Sequence, residues 1–250
     1  MNDFNDSTLW RISSFEQYRL QTGTSAFARL DGPTLLPTTL MADLRRLENA
    51  GDEADALEVV AACMRHHEAA LVCMQLDGMV WPITLFPSQG TYHSPRDLLA
   101  AKGVGLGRMT VLTTEPPGLR PPGDVKQDRI GNLAHYHPLS QFLWALALHG
   151  GRSDLLNEIS GAAAYRATRR LSEEGIAATG AVSSAAEALL NETVSLRTIA
   201  GWPGMSLERA KRLLNGLYLV SALRVTRGGP AARAEPRSWF PFLGGSKPRR

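Results

Sequence analysis

One stretch in the carboxyl-terminal part of the chain shows its order of elements most clearly, SLRTIAGWPGMSLERAKRLLNGLYLVSALRVTR at residues 195–227. Residues 195–201 predict a short helix, and Trp202-Pro203-Gly204 must end it, because proline and glycine interrupt helices. Ser206 then offers a hydroxyl to cap a second helix over residues 207–217, where apolar side chains recur at helical spacing. The stretch therefore predicts two helices joined by a tight turn.

The residues that follow add a strand and a turn to this pattern. Residues 223–227 alternate apolar with polar side chains, as a half-buried strand does, and Gly228-Gly229-Pro230 turns the chain. Helix, tight turn, helix, strand and glycine turn, in this order, resemble a winged helix-turn-helix, which we assign to residues 184–230. The resemblance implies a regulatory role, through contact with DNA or with another protein.

The second helix and the strand carry the candidate residues for contact with DNA or with a protein partner. A helix in the major groove needs donors for base edges and phosphates, and a neighbouring strand can meet backbone phosphates. The candidates are Arg209, Lys211, Arg212, Asn215, Arg224 and Arg227. A solvated helix carries similar charges, Glu208 would repel phosphate, and the neighbours of Asn215 are also typical of a position near the core. The sequence alone leaves both kinds of contact open.

A β-hairpin is the clearest signal in the amino-terminal half. Two apolar runs, residues 70–76 and 79–86, flank Asp77-Gly78, a pair that accepts the positive φ angles of a tight hairpin turn. Pro82 cannot donate to a ladder, which predicts that the second strand lies at an edge or carries a bulge. This edge is a second candidate surface for a protein partner. Its candidate residues are Trp81, Ile83 and Leu85.

Helices and a third strand are predicted around the hairpin. The predicted helices lie around residues 15–18 and over residues 40–49, 52–67 and 96–102, and the third strand covers residues 108–114. The last of these helices is predicted from Ser94-Pro95-Arg96-Asp97, which has a serine cap and a proline at the first helical position. Helix, hairpin, helix and strand predict a small antiparallel sheet with flanking helices. The order is loosely similar to roadblock-type or profilin-like regulatory modules.

The second half is predicted to be mostly helical. Residues 139–148 are apolar nearly all round, which predicts a buried helix, and Ser153 is a candidate cap for a long helix over residues 154–172. Ser184 with Glu187 predicts a capping box for a helix over residues 185–192.

These elements give an α+β fold class and a division of the chain into parts. Prolines and glycines crowd residues 115–128, which predicts a linker. The predicted parts are an arm at residues 1–39, an α/β module at 40–114, the linker at 115–128, a helical domain at 129–230 that ends in the winged-helix-like unit, and a basic tail at 231–250.

Composition indicates a globular protein with an uneven charge distribution. Of its 250 residues 44% are hydrophobic and 20% charged, the formal net charge is +3, and basic residues dominate beyond Gly204. A basic end fits an anionic partner or a solvated tail.

Cys63 and Cys73 lie among apolar neighbours, as buried thiols in a reducing compartment do. The first residues lack the pattern of a signal peptide, and no apolar run reaches the ~20 residues that cross a bilayer. We therefore expect a cytoplasmic protein.

The remaining motifs give no positive sign of catalysis, a cofactor or a metal. The glycines at residues 103–107 follow a predicted helix and precede a strand, which reverses the order of a dinucleotide fingerprint. His66 and His67 point away from each other on a helix, and His135 with His137 lacks a third ligand nearby. No Gly-x-Ser-x-Gly elbow is present. We therefore predict no catalytic residue, no cofactor and no metal.

Three functional hypotheses fit these observations. The first, which we favour, is a non-enzymatic regulatory or adaptor protein that acts by protein–protein interaction. The second is a transcription regulator whose helix at residues 207–217 enters DNA, and a homodimer would suit it because two-fold half-sites are common. The third is an enzyme with an unrecognised site. The expected partner is another protein, DNA is the alternative, and no membrane partner is expected.

Overall fold

Helices and two antiparallel sheets make up the structure, a computed structural model that describes residues 9–22, 35–49, 55–99, 105–126 and 128–228. Seven α-helices lie within these ranges. The predicted mixture of helices with antiparallel sheets is therefore confirmed at the level of fold class.

The first sheet is built around the predicted hairpin. Its order is β5-β2-β3-β4-β6, and β1 pairs with one end of β3. The strands are β1 Trp10–Arg11, β2 Ala70–Leu76, β3 Met79–Phe86, β4 Thr91–His93, β5 Thr110–Glu115 and β6 Tyr136–Pro138. Asp77 and Gly78 join β2 to β3 with φ angles of 50° and 76°. The hairpin and the third strand are thus confirmed.

The position of β3 corrects the predicted partner-binding edge. β3 lies inside the sheet, where β2 pairs with one side while β1 and β4 share the other. Pro82 faces Cys73 of β2, and it falls in the gap between the parts of β3 that pair with β1 and β4. A residue without an N–H is tolerated in this gap because no ladder bond is required there. Ile83 and Leu85 are fully buried and Trp81 is half-buried, so these side chains form part of the core instead of an open edge.

Three helices lie beside this sheet; the first and third contact it, and the second packs against the third. They are α1 Ile12–Thr22, α2 Thr38–Asn49 and α3 Ala56–His66. α3 begins at Asp55, whose carboxylate accepts a hydrogen bond from the N–H of Leu57 at 2.9 Å, and it buries most of its residues. Phe15 of α1 packs on the opposite face of the sheet with Cys73 and Val80. The predicted helices at 15–18, 40–49 and 52–67 are present, although residues 52–54 lie outside the described part.

Residues 96–98 of the helix predicted at 96–102 are not helical, and Leu99 has 3₁₀ conformation. The Ser94 hydroxyl donates to the carbonyl of Arg96 at 2.8 Å, and the Asp97 carboxylate accepts from the N–H of Leu99 at 2.8 Å. Both polar side chains therefore stabilise tight local turns, an alternative to capping that serine and aspartate commonly adopt. The rest of this prediction, residues 100–102, lies outside the described residues, as do residues 103 and 104 of the glycine motif.

The second half contains four helices and a second sheet. The helices are α4 Leu139–His149, α5 Gly180–Asn191, α6 Leu196–Ala200 and α7 Leu207–Leu219. The strands β7 Ala164–Ala167, β8 Val194–Ser195 and β9 Leu223–Thr226 form a sheet in the order β8-β7-β9. α4 is the buried helix that its apolar residues predicted.

One helix prediction in this half is wrong, whereas the helix predicted at residues 185–192 is present as α5 but starts earlier. Residues 154–172 form short 3₁₀ turns and β7 instead of a long helix, since Tyr165 and Ala167 point into the core while Arg166 is exposed, which is the two-residue period of a strand. Gly161, with φ of 89°, also departs from helical backbone. α5 starts at Gly180, so the Ser184 hydroxyl donates to the carbonyl of Gly180 at 3.4 Å and does not form the predicted capping box.

The core connects the two halves. One hydrophobic cluster contains Leu57 of α3, Ile83 of β3, Leu143 of α4 and Leu214 of α7. Described residues between 116 and 128 form turns with one isolated bridge, from Arg120 to Ile130. The division of the chain into a module, a linker and a helical domain stays a prediction, but described residues of the module and of the helical domain share one hydrophobic cluster.

A glycine permits a close contact in this core, between α4 and α7. A Cβ at Gly216 of α7 would lie 2.7 Å from Cε3 of Trp144 on α4, which is closer than carbon atoms approach each other. The backbone of α7 therefore lies against the indole ring, and this contact sets the separation of the two helices.

Replacing Gly216 with valine is expected to lower the free energy of unfolding by about 1–3 kcal/mol, because the added methyl groups force the helices apart. Urea denaturation followed by circular dichroism measures the change. Gly228→Val is the matched control, since a Cβ there has no atom within 4 Å. Equal stability of the two variants would contradict the close contact.

Candidate functional site

The polar side chains of Lys211, Arg212 and Asn215, which follow the first turn of α7, form hydrogen bonds with other parts of the protein. Asn215 is fully buried. Its side-chain oxygen accepts from the N–H of Leu156 at 2.9 Å, and its amide donates to the carbonyl of Asp154 at 2.9 Å. The side chain thus fixes the backbone that follows α4, and it is not accessible to a base edge.

Lys211 and Arg212 contact the same region. The Lys211 ammonium lies 2.5 Å from a carboxylate oxygen of Asp154, and this hydrogen bond lowers the pKa of the Asp154 carboxyl. Arg212 donates to Glu208 at 3.0 Å and to the carbonyls of Leu148 at 3.0 Å and Gly150 at 2.8 Å. The last two bonds satisfy carbonyl groups at the end of α4, where a cation is also favoured by the helix dipole.

The three remaining candidates for DNA contact lie on the surface. Arg209 donates to the carbonyl of Gly204, in the turn before α7, at 2.6 Å, and Arg227 donates to the carbonyl of Glu158. Arg224 is exposed on β9. The six predicted residues therefore divide into an inner group of Lys211, Arg212 and Asn215 and an outer group of three arginines.

A partly buried arginine that the sequence reasoning missed connects the two halves. We call residues 148–158 the connecting segment. Within it, Arg152 forms ion pairs with Asp55 at 2.6 Å and with Glu58 at 2.8 Å, both at the start of α3. Arg152 also donates to the carbonyls of Asp154 at 3.0 Å and Leu155 at 2.7 Å. No local pattern marks this residue, because its partners lie far away in the sequence or on the backbone.

An open groove runs along the outer side of α4. It encloses about 400 Å³ between this helix and residues 175–182. Its apolar lining comes from Leu99, Trp144, Leu148, Ile176 and Val182, and its polar lining includes Gln141, His149 and Thr179. A groove of this size accommodates one or two large side chains.

A cluster of aromatic and histidine side chains lies where β4 meets β6. His93 is only 3% exposed, and its ring centroid lies 4.9 Å from that of Tyr136 and 5.7 Å from that of His135. Burial lowers the pKa of His93 to about 4, and the nearby His135 and His137 add to this effect. His93 is therefore neutral at physiological pH.

Chemical groups elsewhere in the described ranges do not form an evident reactive centre. Cys63 and Cys73 are unpaired and buried, and burial raises the pKa of the Cys63 thiol to about 12 and that of Cys73 well above its usual value. Both thiols are thus protonated at neutral pH, unlike a nucleophilic cysteine. Among the residues described, no three histidine, cysteine or carboxylate side chains are grouped as metal ligands.

Comparison with known proteins does not identify a family. No family model matches the chain, and no curated protein or solved structure is significantly similar to it. None of the helices in the described ranges has the length and apolar character needed to span a membrane.

Removing the Arg152 guanidinium is expected to destabilise the fold strongly. Arg152→Met leaves the buried Glu58 carboxylate without its counter-charge, which typically costs about 3–5 kcal/mol. Chemical denaturation measures the loss, and Arg152→Met combined with Glu58→Leu should recover most of it. Arg46→Met, which removes an exposed ion pair to Asp43, is the control and should cost less than about 1 kcal/mol. Similar losses for Arg152→Met and Arg46→Met would contradict the role of Arg152.

Acid is expected to destabilise the protein through His93. The folded-state pKa of about 4 lies below the ordinary value of 6.5, so the unfolded chain takes up the proton first as the pH falls. The contribution of neutral His93 is therefore complete above pH 6.5 and is lost between pH 6.5 and about 4, a change of about 3 kcal/mol. Denaturation at several pH values should show a shallower decline for His93→Leu than for the wild type. Parallel pH profiles would show that His93 does not carry this dependence.

Proposed function

We propose that the protein is a non-enzymatic adaptor that acts by binding another protein, with a winged-helix-like unit in its carboxyl-terminal half. The order α5, β8, α6, α7, β9 supports that unit, and it departs from the predicted pattern in one respect. Its sheet is completed by β7, which precedes α5 in the chain, so the unit would begin before residue 184.

One observation carries the adaptor proposal. Lys211, Arg212 and Asn215, the side chains that would read DNA from α7, are bonded to the connecting segment. A helix that entered the major groove would have to give up these bonds, because base edges need the same donors. Protein contact requires no such loss, since the groove on α4 is already open.

The residues that line the groove indicate the chemical type of the proposed partner. Its lining carries no formal charge apart from the titratable His149, and it presents apolar side chains of Leu148, Ile176 and Val182. It therefore suits a partner that inserts one or two large apolar side chains, in the way that anchor residues fill pockets at protein interfaces. The partner would be met in the cytoplasm, a reducing compartment that suits the two unpaired cysteines.

Transcription regulation by DNA contact is the second candidate. The exposure of Arg209, Arg224 and Arg227 favours it, since guanidinium groups bind phosphates well. The contact would then lie at the start of α7 and on β9, and a homodimer would place two such surfaces on two half-sites.

Blocking the groove tests the adaptor proposal. Ala177 is exposed and borders the groove, so Ala177→Arg adds a long charged side chain there without changing the core. Affinity purification of the tagged chain from its own cells, with quantitative mass spectrometry, should recover a partner that Ala177→Arg reduces by about tenfold or more, a loss equivalent to one anchor residue. Ala162→Arg, at an exposed alanine outside the groove lining, is the control and should retain the partner.

Two results would count against the proposal. Recovery of the same partner with both variants would exclude the groove as the binding surface. The absence of any partner that copurifies with the wild type would contradict the adaptor function itself.

A further inference from the structure

Two arginines face each other across the second sheet. Arg166 of β7 is the direct register partner of Arg224 of β9 in their antiparallel pairing. Residues that are directly opposite in such a pair lie on the same face with their Cβ atoms about 5 Å apart. Both arginines are exposed. The opposite face of the two strands, with Tyr165 and Val225, packs against the core.

This juxtaposition is unfavourable in the protein alone. Like charges directly opposite each other in a sheet destabilise the pairing. Arg166 donates to the carbonyl of Leu190 at 3.1 Å, but neither arginine forms an ion pair with a carboxylate of the described residues. Arginines just beyond the end of β7 differ in this respect, because Arg169 pairs with Glu174 at 2.6 Å and Arg170 with Glu187 at 3.5 Å. Of these four arginines, only the opposed pair, Arg166 and Arg224, lacks a carboxylate partner among the described residues.

We propose that Arg166 and Arg224 bind the phosphate backbone of a nucleic acid duplex. Two guanidinium groups on neighbouring strands can donate to one phosphate or to two consecutive phosphates, and the bound anion removes their mutual repulsion. The inference rests on the second candidate function, DNA contact. It moves the contact from the inner residues of α7 to the outer face of the β7–β9 sheet.

The surroundings favour a phosphate backbone over an acidic protein segment. Protein interfaces concentrate their binding energy in apolar and aromatic anchors, whereas phosphate contacts need only positioned donors. The outer face of β7 and β9 bears the two arginines and Thr226, and it presents no large apolar side chain. The groove on α4 is separate from this face, since none of its lining residues belongs to β7 or β9.

Fluorescence anisotropy with a short labelled DNA duplex tests the proposal. The full chain is titrated at several salt concentrations as wild type, as Arg166→Gln/Arg224→Gln, and as Arg45→Gln/Arg46→Gln. The last variant changes the net charge equally at two exposed arginines of α2. The arginine-pair variant should lose about tenfold or more in affinity, and its plot of log K against log salt should flatten by about 1.8. The control should behave as the wild type, and a duplex of scrambled sequence should bind equally well.

The melting temperature without DNA separates binding from folding. Arg166→Gln/Arg224→Gln removes a repulsion, so its melting temperature at low salt should be unchanged or higher by about 1–2 °C. A lower melting temperature would show that the arginines are structural and would overturn the proposal.

Three further outcomes would also overturn it. Equal affinities of the arginine-pair variant and the control would exclude this surface while leaving DNA contact intact. No binding of the wild type at low salt would reject both DNA contact and this site. Tighter binding of a poly-glutamate peptide than of the duplex would identify an acidic protein as the partner of the arginine pair.

Discussion

The partly buried guanidinium of Arg152 forms the interaction on which the relation between the two halves of the protein depends. It forms ion pairs with Asp55 and Glu58 at the start of α3, and it donates to two backbone carbonyls of the connecting segment. The same segment is held from the other side by Asn215 and Arg212 of α7. The connecting segment, which is mostly irregular between α4 and a 3₁₀ turn, is therefore bonded to charged and amide groups of both α3 and α7.

This arrangement explains why the sequence alone does not show whether the polar residues of α7 bind DNA or bind other parts of the protein. Arginine, lysine and asparagine occur both in DNA-binding helices and in helices that donate to unpaired carbonyls, because both tasks need hydrogen-bond donors. In this structure Lys211, Arg212 and Asn215 bond to carbonyls or a carboxylate of the connecting segment. Arg209 donates instead to the carbonyl of Gly204, in the turn before α7, and Arg224 is exposed on β9.

Elements that are stabilised by residues close together in the sequence could be predicted from the sequence. Asp77-Gly78 predicted the hairpin because its two residues accept the φ angles of the turn, and the apolar residues of α4 predicted a buried helix. β7 was missed because its pairing partners, β8 and β9, come much later in the sequence. The interior position of β3 was missed because the gap that accommodates Pro82 is created by two other strands. Of the candidate site, the surface arginines could be predicted, while Arg152 and the groove depend on tertiary packing alone.

The contact between Trp144 and Gly216 also has a consequence for synthesis on the ribosome. α4 is apolar nearly all round, and the helix that covers its Trp144 side ends about seventy residues later in the chain. At translation rates of about 5–20 residues per second, the synthesis of α7 is complete roughly 4–14 s after that of α4. During this interval the nascent chain exposes an apolar helix that carries Trp144, and we expect chaperones near the exit tunnel to bind it.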